Sequence, residues 1–302
     1  HRQHFNFHKR ERNIDMNEQQ FQLPPDWNVP EADFSSYARA MAEPEPYKLH
    51  EDARKKETTP TGTLHAFTLE DCLTYPKVSH DYWLYVPAQY EGSTPANLIV
   101  FLDGLLYEEQ CHVSTVLDNL IDTGDLPPTI AVFIAPGPNG PGLPIYGGND
   151  NRSIEYDSAN EAYGTFLETE LLPIIEEEYV ISKDPTHRAI CGYSSGGLAA
   201  FGTAWFKPHL FNKLLLNSAS FTNIRGGHEF LTKVRTEDKR PLKIWLGTGK
   251  KDLNVIFGNW KIANEYMASS LAYKGYEHQL HISEGGHTLH YLSSVLPDAL
   301  RW

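Results

Sequence analysis

Short, uninterrupted apolar runs alternate along this chain with longer segments of helical periodicity, and that alternation restricts its fold most. Leu98–Leu102 and Ile130–Ala135 contain no polar residue. A strand with one wet face would alternate in polarity, so such runs read as strands buried on both faces. Between them, Val113, Val116, Leu117, Leu120 and Ile121 recur at helical spacing. The same reading predicts strands at Arg188–Cys191, Lys213–Leu216, Leu242–Leu246 and Gln279–Ile282, with helices over about 196–206, 259–273 and 288–301. Thr63–Leu69 and Asp81–Val86 alternate in polarity and are rich in aromatics, the signature of an antiparallel pair at a sheet edge. The expected architecture is α/β: an open, mostly parallel sheet with antiparallel N-terminal strands and helices on both faces.

Local signals refine this. Ser158-Ala159-Asn160-Glu161 has the form of a capping box opening a helix that carries Phe166, Leu167, Leu171, Leu172, Ile174 and Ile175. Pro173 lacks an amide donor and is expected to kink or split that helix. A third of residues 1–60 are charged, against about a fifth of the remainder, and Pro24, Pro25, Pro30, Pro44 and Pro46 interrupt them. With only scattered anchors such as Phe21, Trp27, Phe34 and Tyr37, residues 1–60 read as a polar extension, wrapping the body or partly disordered. Residues 61–302 read as one catalytic domain. The extension is expected to be dispensable for catalysis unless Trp27 or Phe34 reaches the cleft.

Composition excludes several function classes. Lys plus Arg number 26 and Asp plus Glu 39, a formal charge of −13, so phosphate and anionic lipid would on the whole be repelled. Neither a nucleic-acid nor a membrane partner is expected, and no apolar run approaches the ~20 residues that span a bilayer. Cys72, Cys111 and Cys191 leave at least one thiol unpaired and show no Cys-x-x-Cys spacing, which argues against a disulfide scaffold or cysteine zinc site. A Cys72–Cys111 bridge is one alternative; buried free thiols are the expectation. The chain opens at His1 without a charged-then-apolar signal segment, consistent with a mature or trimmed chain. A periplasmic or secreted location is expected over a cytoplasmic one. The residues do not reveal an oligomeric state.

Chemistry concentrates at Gly192-Tyr193-Ser194-Ser195-Gly196, a G-x-S-x-G sequence between the apolar strand Ala189-Ile190-Cys191 and a helix-like run. A strand-to-helix elbow puts Ser194 on a strained turn with Oγ exposed at the carboxyl end of the sheet. Ser195 is the rival nucleophile, but its position is that of an amide donor to an oxyanion at the helix N-terminus. A serine nucleophile needs an acid and a base, which follow it in that order on this architecture. Gly247-Thr248-Gly249-Lys250-Lys251-Asp252 follows a predicted strand, making Asp252 the expected acid. Glu237 and Asp238 precede their strand and fall at the wrong edge. Glu284-Gly285-Gly286-His287 follows the last strand, making His287 the expected base, with His290 a second candidate. His278 and His281 fall on opposite faces of a strand, so no metal site is expected there. After the first buried strand, Asp103-Gly104-Leu105 is expected to supply the second oxyanion donor, the Leu105 amide or alternatively that of Gly104. Asp103, Gly104, Arg152, Glu155 and Tyr193 are expected to bind substrate or support the site, with Arg152 and Glu155 paired or Arg152 gripping an acidic or sugar-like group. Tyr146 and Tyr156 are expected to offer aromatic faces, and the 137–157 and 221–228 stretches to set specificity.

These segments resemble the esterase D or enterochelin-esterase-like branch of the α/β-hydrolases over most of residues 63–302. The resemblance rests on Asp81-Tyr82-Trp83-Leu84-Tyr85-Val86-Pro87, on Phe101-Leu102-Asp103-Gly104, and on Asn151-Arg152-Ser153-Ile154-Glu155-Tyr156, read as leading into the next helix. It rests also on Ser218–His228 and Gly258-Asn259-Trp260, which look like sugar-ester hydrolases of this branch. Those relatives tend to carry a second His four residues after the catalytic one, whereas His290 is three after His287. The resemblance implies a carboxylic ester hydrolase with no metal or organic cofactor, acting on a small-molecule or oligosaccharide-linked ester of sugar, aryl or siderophore type. Acyl transfer by the same residues, and a non-catalytic carbohydrate- or siderophore-binding module, are the alternatives.

Overall fold

Strands that are apolar on both faces must be covered on both faces, and this requirement organises the molecule. The computed structural model describes residues 31–42, 46–138 and 150–302. A helix, α1 (Glu31–Ala42), precedes the strands β1 (Thr63–Leu69), β2 (His80–Val86) and β3 (Asn97–Leu102). The helices α2 (Leu106–Cys111) and α3 (Val113–Asp122) lead to β4 (Thr129–Ile134). Helices α4 (Asp150–Asp157), α5 (Ala162–Phe166) and α6 (Leu172–Glu178) come before β5 (Arg188–Tyr193), α7 (Ser195–Phe206) and β6 (Lys213–Asn217). After α8 (Phe230–Thr236) and β7 (Lys243–Gly249), a small ribbon of β8 (Asn254–Val255) and β9 (Gly258–Asn259) precedes α9 (Trp260–Lys274), β10 (Glu277–Ser283) and α10 (His290–Arg301).

Eight strands form one sheet in the order β1-β2-β4-β3-β5-β6-β7-β10. β1 and β2 pair antiparallel at one edge, β2 meets β4 antiparallel, and every pairing from β4 to β10 is parallel. This is the α/β-hydrolase arrangement. Alternation along β3 sends Leu98, Val100 and Leu102 to one core and Ile99 and Phe101 to the other. The first core also takes Ile130, Val132 and Ile134 of β4 and the apolar sides of α5 to α9; the second takes Ala131, Phe133, α2, α3 and α10. From β3 the sheet grows in both directions, to β4 on one side and β5 on the other. Their carboxyl ends therefore open a crevice where open α/β sheets place ligands.

Three local expectations are corrected. Ser158 does not open a helix: its hydroxyl donates back to the Ile154 carbonyl at the end of α4, and Asn160 Oδ1 accepts the Ala162 amide at 2.9 Å. Asn151–Tyr156 does not merely lead into a helix but lies within α4. The Pro173 helix stays continuous, with Leu167–Leu171 wound one residue wider so that the Leu172 amide reaches the Leu167 carbonyl. That widening accommodates a ring that cannot donate and would clash with the preceding turn. All three cysteines are buried free thiols.

Candidate active site

Ser194 is the residue between β5 and α7, with φ 57° and ψ −123°. A non-glycine residue at positive φ costs ~1–3 kcal/mol and persists only where its surroundings impose it. Here the Ser194 amide donates to the Asn217 carbonyl at 2.8 Å, and the Ser194 carbonyl accepts the Ser220 amide at 3.0 Å. Tyr107, fully buried, fixes Asn217 in turn by donating to its Oδ1 at 3.0 Å. The turn also requires Gly192, because a Cβ there would lie 2.0 Å from the Gly196 carbonyl oxygen.

The loops after β7 and β10 bring the other two residues to this serine. His287 Nε2 stands 2.8 Å from Ser194 Oγ, and His287 Nδ1 stands 2.7 Å from Asp252 Oδ1. Asp252 Oδ1 also accepts the Leu253 amide at 2.8 Å, while its Oδ2 accepts the hydroxyls of Ser218 and Thr248, each at 2.7 Å. Burial opposes ionisation of Asp252, but the His287 charge and the hydrogen bonds from His287, Thr248 and Ser218 outweigh it and hold the carboxyl below its ordinary value. Asp252 thus remains an anion that orients the imidazole and balances a proton on it. His290 starts α10 and is exposed. The Ser195 side chain is buried and turned to the Asp157 carboxyl, leaving its amide at the first turn of α7 without an intrahelical acceptor. The Leu105 amide has the same standing at the start of α2.

Arg152 and Glu155 are not partners. Arg152 grips Asp103 with both arms of its guanidinium, Nε to Oδ1 at 2.7 Å and Nη2 to Oδ2 at 2.9 Å, and reaches the Tyr193 carbonyl at 3.4 Å. One turn along α4, Glu155 has other partners. Its Oε1 lies 2.9 Å from His80 Nε2, in a pair with neither side chain exposed, and its Oε2 accepts the Gly137 amide at 3.0 Å. Asp103 itself stands at φ 64°, its amide donating to the Tyr156 hydroxyl at 3.0 Å. Tyr156 is buried against Tyr163 and offers no open face; Tyr146 lies outside the described residues. Phe221 likewise belongs to the core, edge-on to Phe201. Arg152 and Tyr156 therefore anchor the Asp103-Gly104-Leu105 turn. Arg152→Ala is expected to destabilise the fold by ~1–3 kcal/mol, since Asp103 is left without its cation, and to lower kcat with it. Thermal denaturation and ester hydrolysis measured together check this; an unchanged Tm with unchanged kcat would remove the anchoring role.

The sequence showed nothing of the support from α1. The His287 amide donates to the Ala40 carbonyl at 2.8 Å, and a Cβ on Gly286 would lie 2.2 Å from that same oxygen. The Tyr193 hydroxyl donates to the His287 carbonyl and lies 3.6 Å from Met41 Sδ. Asp33 Oδ2 accepts the Ile256 amide at 2.6 Å, tying α1 to the ribbon. The N-terminal segment thus holds the loop that presents His287; Trp27 lies outside the described residues. Gly286→Ala is expected to lower kcat at least ~10-fold, because a displacement near 1 Å at a reacting group has a cost of that order or more. Wild-type kcat in that variant would show that α1 does not position the imidazole.

Among the described residues, no group of three His, Cys, Asp or Glu side chains could hold a metal ion, and no helix is long and apolar enough to cross a membrane.

A family model described as "Putative esterase" matches residues 79–302. The iron(III) enterobactin esterase of Dickeya dadantii (strain 3937) is 26% identical over 235 residues, covering 73% of this chain and 50% of that protein. A ferulic acid esterase structure superposes with a TM-score of 0.62 at 21% identity, covering 80% of this chain and 97% of the other. The Shigella flexneri enterobactin esterase, solved in the presence of 2,3-di-hydroxy-N-benzoyl-serine, gives 0.65 at 21% identity, covering 84% of this chain and 62% of the other. At these identities the solved structures establish the fold alone, and the chain spans half the length of the Dickeya protein. With three-quarters of its length matched by the family model, the chain belongs to the family described as putative esterases.

Proposed function

We propose that the protein is a serine carboxylic ester hydrolase that works through an acyl-enzyme on Ser194. The observation that carries this is the row Ser194 Oγ, His287 Nε2, His287 Nδ1, Asp252 Oδ1, with gaps of 2.8 and 2.7 Å, set at a strained elbow at the head of a helix. Neutral His287 accepts the Ser194 proton as Oγ attacks the ester carbonyl. The Leu105 and Ser195 amides receive the oxyanion, and Asp252 balances the imidazolium. His287 then returns the proton to the departing alkoxide, and water, deprotonated by the same imidazole, releases the acid and restores Ser194. Acyl transfer to an alcohol uses the same groups, and product analysis in an alcohol–water mixture separates the two.

For the substrate we propose an aryl or siderophore-type ester, in keeping with the enterobactin and ferulic acid esterases to which the chain is similar. Matched 4-nitrophenyl, short alkyl, long alkyl and hydroxycinnamoyl esters test it. Hydrolysis of the 4-nitrophenyl ester, abolished by an organophosphonate, is expected, as is a kcat/KM for hydroxycinnamoyl esters ~10-fold or more above long alkyl esters. A preference for long alkyl chains would overturn the substrate class, and a protein inert toward every ester would overturn the activity.

A further inference from the structure

Ser220 and Trp260 sit within the Ser218–His228 and Gly258–Trp260 motifs, and the row of Ser194, His287 and Asp252 gives them no part. Ser220 is fully buried in the loop after β6, with Oγ 3.4 Å from Ser194 Oγ and 3.2 Å from the indole Nε1 of Trp260. Donor chemistry fixes the direction of every bond in this chain. An indole N–H can only donate, so Ser220 Oγ accepts from Trp260. Asp252 is an anion and can only accept, so His287 Nδ1 carries the ring proton and Nε2 is left to accept from Ser194. The Ser194 proton is thereby committed to His287, and in the contact between the two serines Ser220 is the donor.

We infer that Ser220, oriented by the Trp260 indole, is a further catalytic residue that donates a hydrogen bond to the attacking oxygen of Ser194. The inference rests on Ser194 being the nucleophile. As His287 takes the Ser194 proton, negative charge grows on Oγ before the bond to the carbonyl carbon is complete, and the Ser220 hydroxyl stabilises it. The same bond stabilises Oγ as the leaving oxygen when water cleaves the acyl-enzyme. At 3.4 Å the resting contact is long, and it shortens as the acceptor becomes charged. The scaffold around it is fixed. The Ser220 amide donates to the Ser194 carbonyl at 3.0 Å, and buried Asn264 joins both segments by donating to the Ala219 carbonyl at 3.1 Å and the Trp260 carbonyl at 2.9 Å.

The test compares wild type, Ser220→Ala, Trp260→Phe and the double variant. It reads kcat and KM for 4-nitrophenyl acetate, the rate of phosphonylation by a fluorophosphonate, the mapped adduct residue and the Tm. Ser220→Ala is expected to lower kcat and the phosphonylation rate about tenfold with KM unchanged, the loss of one hydrogen bond to a charged atom. Trp260→Phe is expected to lose about threefold, since the hydroxyl keeps its place without the donor that aims and polarises it. The double variant should match Ser220→Ala, because the indole acts through the hydroxyl. Wild-type rates in Ser220→Ala, or losses that multiply in the double variant, would overturn the inference. Should Ser220→Ala fail to fold, wild-type kcat in Trp260→Phe would overturn it instead. An adduct on a residue other than Ser194 would defeat the underlying mechanism, which an unchanged rate at an adducted Ser194 would not.

Discussion

Ser194→Ala is expected to reduce kcat by ~10⁴ to 10⁶, and His287→Ala by a similar factor, because members of such a row act as a unit. Ser194 supplies the attacking oxygen, and no neighbouring hydroxyl can replace it. Ser195 is turned to Asp157, and Ser220 is fully buried with its Oγ 3.4 Å from Ser194 Oγ. The fold should survive the change, since the Ser194 side chain makes no cap bond to α7 and its backbone is held through the amide and carbonyl. His287 is similarly anchored through its main chain, to Ala40 and Tyr193. Steady-state kinetics beside circular dichroism and thermal denaturation check both variants. Folded protein with turnover near wild type would move the chemistry away from this row.

Asp252→Asn is expected to cost ~10³ to 10⁴ in kcat with KM little changed. The carboxylate does three things at once: it accepts from His287 Nδ1, takes the Ser218 and Thr248 hydroxyls, and supplies a negative charge beside the imidazole. An amide nitrogen at the Oδ1 position would donate to Nδ1, driving the ring proton to Nε2, where it blocks acceptance from Ser194. With the amide oxygen there instead, the tautomer survives but the charge is gone. The variant should also differ in acid. Because the folded Asp252 carboxyl lies below its ordinary value of 3.8, its charge contributes stability that is fully present above that value. That contribution is lost as pH falls through the lower folded value. Asp252→Asn lacks it at every pH, so the two stability curves should converge in acid. Curves that stay parallel down to the acid transition would show that Asp252 is not held as an anion.

What could be read from the chain was what local pattern encodes. Continuous apolar runs marked β3 and β4 because both their faces are buried, and the Gly192–Gly196 spacing marked the elbow because a Cβ at Gly192 cannot fit. The loops of Asp252 and His287 were legible from order along the chain: each follows a parallel strand, and such strand ends line up at one edge of the sheet. Partnerships made across the fold were not legible. Arg152 has a glutamate three residues on, yet it pairs with Asp103, 49 residues away, because α4 turns Glu155 toward buried His80. The Ala40 carbonyl that holds His287 is a main-chain atom in a charged, proline-rich stretch, where no side-chain pattern marks it. Ser218, Ser220 and Thr248 are small, common residues, and their roles, like that of Trp260, depend on which loop faces which. The Ser158–Glu161 pattern misled because a hydroxyl at a helix end can bond backward to a carbonyl as readily as forward to an amide.

Peptide mapping after stoichiometric inactivation by a fluorophosphonate tests the acyl-enzyme mechanism most directly, since the reagent phosphonylates the oxygen that attacks the ester. A single adduct on Ser194, formed in step with the loss of esterase activity and absent from Ser194→Ala and from unfolded protein, is the result this mechanism predicts. An adduct on another residue, or full ester hydrolysis by protein wholly labelled at Ser194, would contradict it.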